Sequence, residues 1–162
     1  MDADVEVRAG DPGDVPAVQR VADRAWHAAH DEIVGPEAVD AFLQRFYGTD
    51  RLATAVEADD RVFLVATRED EVVGFAGAGP TDEDDGTWSL SRIYADPDHW
   101  HTGVGTALTG RVRDRGGDRL RLVVMADNDV GVGFYEARGF ERVDDHYDEF
   151  LDVDGYVYAK RL

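Results

Sequence analysis

The chain has 162 residues, 43% of them hydrophobic, and we expect this length to form one domain over residues 1–162. No apolar run reaches the roughly 20 residues of a bilayer span, so we expect no membrane partner. A net charge of -18, from 35 acidic and 17 basic residues, argues against nucleic acid as a partner, because such a field repels phosphate backbones. There is no cysteine, which excludes disulfides, thiolate metal sites and cysteine nucleophiles.

The first part of the chain predicts a short strand followed by three helices. Val5 to Arg8 is the strand, and Asp11-Pro12-Gly13-Asp14 then supplies an N-cap and an early proline for a helix that runs to about His30. Gly35-Pro36 begins a second helix, and Thr49 to Ala58 predicts a short third one.

The middle of the chain predicts β-structure. Two β-rich runs, Val62 to Thr67 and Val72 to Ala78, are separated by a charged turn and indicate a hairpin. An acidic loop from Thr81 to Gly86 leads to another strand, Trp88 to Ala95.

The last part alternates helices and strands and then closes with a hairpin. The predicted segments are a helix over Gly103 to Arg115, a strand over Leu120 to Ala126, a helix over Asn128 to Arg138 that stops at Gly139, a strand over Phe140 to Val143, and a hairpin over Phe150 to Tyr158 with Asp154-Gly155 as its turn. The strand–helix–strand order from Trp88 onward predicts a parallel pair joined by a right-handed crossover, while the hairpins predict antiparallel pairs. The fold class is therefore mixed α/β.

The segment from Ile93 to Leu108 runs from a strand through a glycine loop into a helix start. Gly103 and Gly105 would let several main-chain N–H groups point at one anion, and the helix dipole behind them would favour a phosphate. An ordinary helix start after a turn is the alternative. The dinucleotide fingerprint fits poorly because its third glycine would fall at Leu108, and the Gly-Lys-Ser/Thr of nucleotide hydrolases is absent.

Trp100-His101-Thr102-Gly103-Val104-Gly105 resembles the Arg/Gln-x-x-Gly-x-Gly/Ala loop of the GNAT superfamily of N-acetyltransferases, with Trp100 where Arg or Gln is usual. The resemblance covers most of the length from Val5 to Leu162. It implies a mixed, mostly antiparallel central sheet with helices on both faces and a central parallel strand pair, and acetyl-CoA as cosubstrate. It also implies that main-chain groups of three strand residues pair with the pantetheine arm and that six loop residues hold the pyrophosphate. These residues are Ile93, Tyr94 and Ala95, and His101, Thr102, Gly103, Val104, Gly105 and Thr106.

A second segment, Asn128 to Phe140, resembles the family's Asn-x-x-Ala-x-x-Phe-Tyr-x-x-x-Gly-Phe element. By that likeness Asn128 would bond the cofactor and Tyr135 would protonate the departing thiolate. A phenol with a pKa near 10 suits this acid role, although a tyrosine on an apolar helix face is commonly a core residue. Gly131 and Gly133 inside the helix predict close packing against the sheet or the cofactor.

The sequence does not identify the group that accepts the proton of the amine. The strands where the family often carries a glutamate offer Ser89, Ser91, Val123 and Val124 instead. The candidate bases are His27, His30, His146, Tyr147 and Glu149, with a water relay as the alternative. Family likeness places the acceptor site between the first two helices and the last hairpin, where Trp26, Glu32 and Phe46 add to these residues. No metal is expected, because the His27 and His30 pair has no third ligand at metal-like spacing.

The sequence thus predicts an N-acetyltransferase that passes an acetyl group from acetyl-CoA to a primary amine of a small molecule or protein N-terminus by direct attack. A non-catalytic acyl-CoA sensor or interaction domain is one alternative, and an unrelated α/β nucleotide-binding protein is another. Acetyl-CoA and the amine are the expected partners, and the residues leave open whether the chain forms a homodimer.

The acidic residues are scattered along the whole chain, a composition like that of proteins from salt-loving organisms. High ionic strength shortens the Debye length and suppresses self-repulsion, so we expect stability to rise in molar salt. Met1-Asp2-Ala3-Asp4 lacks the pattern of a signal peptide, and we expect a cytoplasmic location.

Overall fold

The computed structural model describes residues 4–82, 86–116 and 118–162, so the predicted acidic loop from Thr81 to Gly86 lies partly outside them. Within these residues, strands and helices follow one another along the chain as predicted in type. Their bounds are β1 Glu6–Ala9, α1 Val15–Val34, α2 Pro36–Phe46, α3 Thr49–Glu57, β2 Val62–Arg68, β3 Glu71–Pro80, β4 Thr87–Ala95, α4 Val104–Asp114, β5 Arg119–Met125, α5 Asp129–Ala137, β6 Glu141–Asp148 and β7 Val153–Arg161.

The strands form one seven-stranded sheet in the order β1-β2-β3-β4-β5-β7-β6. Every neighbouring pair is antiparallel except β4 and β5, which confirms the predicted mixed, mostly antiparallel sheet with a central parallel pair. The parallel pairing is short, since it extends only from Thr87 opposite Arg119 to Ser89 opposite Arg121. Both strands continue for several residues beyond that point without pairing to each other, and the sheet opens between them.

Helices cover both faces of the sheet and create two cores. Along β2, Phe63 and Val65 join the cluster beneath α1, α2 and α3, whereas Leu64 and Ala66 join the cluster beneath α4 and α5. Successive side chains of a strand point to opposite faces, so a central strand covered on both faces is apolar at every position. This explains the uninterrupted apolar run in β2.

The helix ends follow local residue preferences. The Asp11 side chain accepts a hydrogen bond from the N–H of Gly13, and the Asp14 side chain accepts one from the N–H of Asp11, which caps a short 3-10 turn before α1. Helix α1 continues past the predicted end at His30 to Val34, where Gly35 with φ of 90° ends it. Of the residues described, none lies in a helix that has both the length and the hydropathy of a bilayer span.

The predicted C-terminal hairpin was wrong in its turn. Asp154-Gly155 lies inside β7, where Gly155 pairs with His146 of β6, and the real turn joins Asp148 to Val153. Asp152 takes the left-handed conformation in that turn, with φ of 54°. Glycine is required at 155 for another reason, because an added Cβ there would lie 3.0 Å from the main-chain oxygen of Val124 in β5.

Candidate active site

The opening between β4 and β5 forms a cleft of about 710 Å³. Its walls are the free end of β4, the loop before α4, the first turns of α5, and residues of α1, α2 and the β6–β7 hairpin. Most of the predicted site residues line it, namely Ile93, Tyr94, Ala95, His101, Gly103, Val104, Gly105, Asn128 and Tyr135. Thr102 and Thr106 belong to the same loop and helix but are not among the lining residues.

The free end of β4 offers main-chain groups to the cleft. The N–H of Asp96 donates to the carbonyl of Val73 in β3 at 2.8 Å. Because bonded and non-bonded pairs alternate in an antiparallel ladder, Tyr94 also bonds to β3, and the main-chain groups of Ile93 and Ala95 face away from it. Ile93 and Ala95 therefore present main-chain groups on the side of β4 that opens toward β5, while Tyr94 contributes its ring.

Trp100 forms a hydrogen bond with one of these main-chain groups. Its indole Nε1 donates a hydrogen bond of 2.9 Å to the carbonyl oxygen of Ala95. The N–H of Ala95 and both main-chain groups of Ile93 remain as the groups that a bound chain could pair with. The residue that departs from the family pattern thus braces the strand end against the glycine loop.

The glycine loop ends in a helix start of the kind that binds anions. His101 and Gly103 both take the left-handed conformation, with φ of 63° and 93°. The first main-chain bond of the helix runs from the N–H of Ala107 to the carbonyl of Gly103 at 3.0 Å. The N–H groups from Val104 to Thr106 therefore have no partner within the helix, and the positive end of the helix dipole lies behind them.

Arg68, at the end of β2, fastens this loop from outside the cleft. Its guanidinium contacts Nδ1 of His99 at 3.0 Å and donates to Oγ1 and the carbonyl oxygen of Thr102 at 2.8 and 2.9 Å. The Thr102 hydroxyl in turn donates to the carbonyl of His99. The side chain and the carbonyl of Thr102 therefore hold the loop in shape, and its main-chain N–H is the group that can serve a ligand. No sequence signal pointed to Arg68, which stands 34 residues before Thr102.

Asn128 begins helix α5 as its N-cap. Its side-chain oxygen accepts a hydrogen bond of 3.0 Å from the N–H of Gly131, which leaves the amide Nδ2 as a donor for a ligand. The predicted close packing is confirmed at Gly131, where an added Cβ would lie 2.8 Å from Asn128 Nδ2 and 3.1 Å from Val124 of β5. At Gly133 an added Cβ would meet nothing within 4 Å, so that glycine faces open space in the cleft wall.

A contact between α4 and α5 joins the two motifs. A Cβ at Gly105 would lie 2.8 Å from Cζ of Phe134, so the glycine makes room for this ring. Arg138 covers the ring, with its Cζ 3.6 Å from the ring centroid, and its Nε donates to Oγ1 of Thr106 at 3.3 Å. Arg138 also lines the cleft and brings a positive charge to the loop of a very acidic protein. Sequence reasoning missed this role, although Arg138 stands directly before Gly139.

Tyr135 lies on the cleft wall, with only 8% of its surface exposed. Its ring packs edge-on against Phe134 and Phe140, with centroids 5.1 and 5.3 Å away. Burial raises the pKa of its hydroxyl well above the ordinary value of 10, and the charge of Arg138 offsets only part of this effect. The phenol is therefore protonated at neutral pH, which is the form that a proton donor needs.

The structure separates the candidate bases. His30 and His146 line the cleft, whereas His27, Tyr147 and Glu149 are not among its lining residues. His30 is 3% exposed, and burial lowers its pKa to about 4, so its imidazole is neutral at pH 7. The Tyr147 hydroxyl donates to Asp152 on the outside of the hairpin.

His27 belongs to an ion-pair cluster between α1 and α2. Its Nδ1 lies 2.6 Å from Asp31 and its Nε2 lies 2.8 Å from Asp40. Asp23 joins the group, so that His27, Asp23 and Asp40 have ligand atoms within 4.8 Å of one another, a proximity that sequence spacing did not reveal. Ion pairing accounts for this arrangement, and it lies apart from the cleft.

The far end of the cleft, beside α1 and α2, is aromatic. Trp26, Phe42 and Tyr94 line it together with His30. Of the other residues expected at the acceptor site, Phe46 packs on Phe42 outside the lining and Glu32 is exposed.

Comparisons with known proteins agree on one family. The profile of the acetyltransferase (GNAT) family matches residues 21–140. An uncharacterized N-acetyltransferase of Mycobacterium tuberculosis is 29% identical over 132 residues, which cover 79% of this chain and 83% of that protein. The crystal structure of the PaiA N-acetyltransferase from Thermoplasma acidophilum in complex with coenzyme A matches with a TM-score of 0.84 at 22% identity, over 98% of this chain and 99% of that one. A putative acetyltransferase of the GNAT family from Desulfovibrio desulfuricans matches with a TM-score of 0.71 at 26% identity, again over 98% and 99% of the two chains.

Proposed function

The chain belongs to the acetyltransferase (GNAT) family, and from this premise we propose that it transfers an acetyl group from acetyl-CoA to a primary amine of a small molecule or a protein N-terminus. Acetyl-CoA is the cosubstrate, and no metal takes part in the proposed reaction. The observation that carries the proposal is that one cleft contains the open edge of β4, the first turn of α4 and the protonated phenol of Tyr135.

In this proposal the main chain holds most of the cofactor. The N–H groups from His101 to Thr106 bind the diphosphate, with Arg138 as a nearby positive charge. The pantetheine arm pairs with Ile93 and Ala95 like an added strand, since these residues face away from β3. Asn128 donates from its amide nitrogen to the arm. A polyanion is thus bound without a basic patch, which suits a chain of charge -18.

The chemistry is direct transfer. The amine nitrogen attacks the acetyl carbonyl carbon and forms the new C–N bond, while main-chain N–H groups of β4 stabilise the oxyanion. The C–S bond then breaks, and Tyr135 gives its proton to the thiolate. The amine loses its proton to a basic side chain on the cleft wall or to water.

Release of free coenzyme A during incubation with polyamines, aminoglycosides, amino acids and peptides tests the proposal. With a good acceptor, Tyr135→Phe should lower kcat by roughly 10²-fold or more, because the thiolate then leaves unprotonated. Tyr156→Phe is a matched control, since Tyr156 lies on β7, is not among the cleft-lining residues and stacks under Arg142. Equal kcat values for the two variants would remove the acid role of Tyr135.

A second candidate function is a non-catalytic acyl-CoA sensor. The observation in its favour is that Ser91 and Val123 stand on the strands that often carry the family's glutamate. Calorimetric binding of acetyl-CoA without turnover of any amine would favour the sensor. The family match rules out the other alternative, an unrelated α/β nucleotide-binding protein.

A further inference from the structure

The aromatic end of the cleft contains a buried polar side chain that the cofactor contacts do not use. His30 of α1 is 97% buried and lines the cleft, and neither of its ring nitrogens has a hydrogen-bond partner among the described residues. Leaving a buried polar group unpaired is costly, and native proteins nearly always supply a partner. Both nitrogens have almost no exposed surface, so a ligand in the cleft reaches them only with a turn of the imidazole ring, and it then supplies the missing partner.

The surroundings of His30 favour a flat apolar ligand. The Trp26 ring lies edge-on to the imidazole, with centroids 4.3 Å apart, and Phe42 stacks on Trp26 at 4.1 Å. Tyr94 and Leu151 complete the wall. A chain with several positive charges would lose its hydration against these rings, and the rings themselves offer its charges no carboxylate.

This aromatic wall adjoins the reacting centre. The Tyr94 ring lies 5.5 Å from Trp26 and 6.4 Å from His30, measured between centroids. Tyr135, the proposed acid, lines the same cleft as Tyr94. A molecule seated on the wall can therefore extend one end to the acetyl group.

Charged groups line the cleft beside the hairpin. Asp148 and Asp154 lie there together with His146, whereas the wall around His30 is aromatic. The carboxylates attract an ammonium group from solution, whereas the rings around His30 attract an apolar body. One charged end and one apolar end is the pattern of an amphipathic monoamine.

We infer that the acceptor is a monoamine carried on an aromatic body, and that His30 accepts a hydrogen bond from a donor group on that body. A neutral imidazole has one nitrogen that accepts and one that donates, so it can serve as such an anchor. This inference rests on the proposed acetyltransferase function and names the substrate class of the same cleft.

Three amines test the inference with the intact chain: tyramine, phenethylamine and spermidine. We expect kcat/KM to be about tenfold higher for tyramine than for phenethylamine, because only tyramine has a hydroxyl to donate to His30. Spermidine should be the poorest substrate of the three. His30→Phe, which keeps an aromatic ring, should abolish the difference between tyramine and phenethylamine, with the loss appearing in KM for tyramine. Glu32→Gln, an exposed change on the same helix, should leave all three values unaltered.

These experiments distinguish failure of the substrate inference from failure of the proposed acetyltransferase function. Spermidine turnover equal to or faster than that of tyramine overturns the inference and leaves the acetyltransferase proposal intact. An equal fall in kcat for both aromatic amines in His30→Phe also overturns it, since that result identifies a proton acceptor rather than an anchor. If no amine turns over, calorimetry with the coenzyme A complex decides, because absence of tyramine binding refutes the inference. Failure of acetyl-CoA itself to bind refutes the proposed function. If His30→Phe does not fold, the ranking of the three amines on the unmodified chain still decides whether the inference holds.

Discussion

The contact between Gly105 and Phe134 predicts that Gly105→Ala weakens both the fold and coenzyme A binding. An added Cβ would lie 2.8 Å from Cζ of Phe134, and the ring is held by Arg138 on its face and by Tyr135 at its edge. Overpacking of this kind costs about 1–3 kcal/mol. Alanine gains about 1 kcal/mol over glycine in a helix, so the net change is a loss of up to about 2 kcal/mol.

Gly110→Ala in the same helix is the matched control, because an added Cβ at 110 meets nothing within 4 Å. It should raise the free energy of unfolding by about 1 kcal/mol and the melting temperature by about 2–4 °C. Urea unfolding of both variants measures the difference, and calorimetry with coenzyme A should show weaker binding only for Gly105→Ala. Adding Phe134→Leu to Gly105→Ala should recover part of the lost stability. Equal stability of the two alanine variants would refute the claim that Gly105 makes room for Phe134.

The remaining predictions concern pH, the loop and salt. Burial lowers the pKa of His27, but its hydrogen bonds with Asp31 and Asp40 raise it by more, so the net pKa lies above 6.5. The protonated His27 therefore stabilises the fold at pH values below 6.5, and this stabilisation is lost as the pH rises through the folded-state pKa. In urea unfolding, His27→Gln should lower the free energy of unfolding most at acidic pH. A loss of stability that grows toward pH 9 would contradict this prediction. Arg68→Met should weaken coenzyme A binding in calorimetry with little change in melting temperature, because it frees Thr102 and the loop; unchanged affinity would show that the loop keeps its shape unaided. The melting temperature should rise from low to molar potassium chloride, and a flat or falling curve would show that self-repulsion does not limit stability.

The order and type of the elements followed from local patterns. Apolar runs over Val62 to Thr67 and Val72 to Ala78 indicated the central strands, because strands covered on both faces are apolar throughout. The last hairpin could not be predicted in the same way. Strand β6 lies at the edge of the sheet and is exposed at nearly every position, so its sequence lacks the alternation of apolar and polar residues that would have indicated a strand. The Asp154-Gly155 turn signal was misleading because Gly155 is needed for the approach to Val124 of β5.

The candidate site was predictable where it depends on local backbone and unpredictable where distant elements meet. The glycine loop and the helix start at Asn128 are properties of short segments, and both line the cleft. Arg68 reaches the loop from β2, and His30 reaches the cleft from α1, only because the sheet and helices pack as they do. A histidine on a helix face has the same sequence pattern whether it is an ion-pair partner, like His27, or a cleft residue, like His30.

A crystal structure of the chain bound to coenzyme A would show whether the main chain of the glycine loop holds the diphosphate. We expect diphosphate oxygens within about 3 Å of main-chain nitrogens between His101 and Thr106, with the arm beside Ile93 and Ala95. A diphosphate held by side chains elsewhere, or a cleft in which the Trp100 indole displaces the ligand, would contradict it.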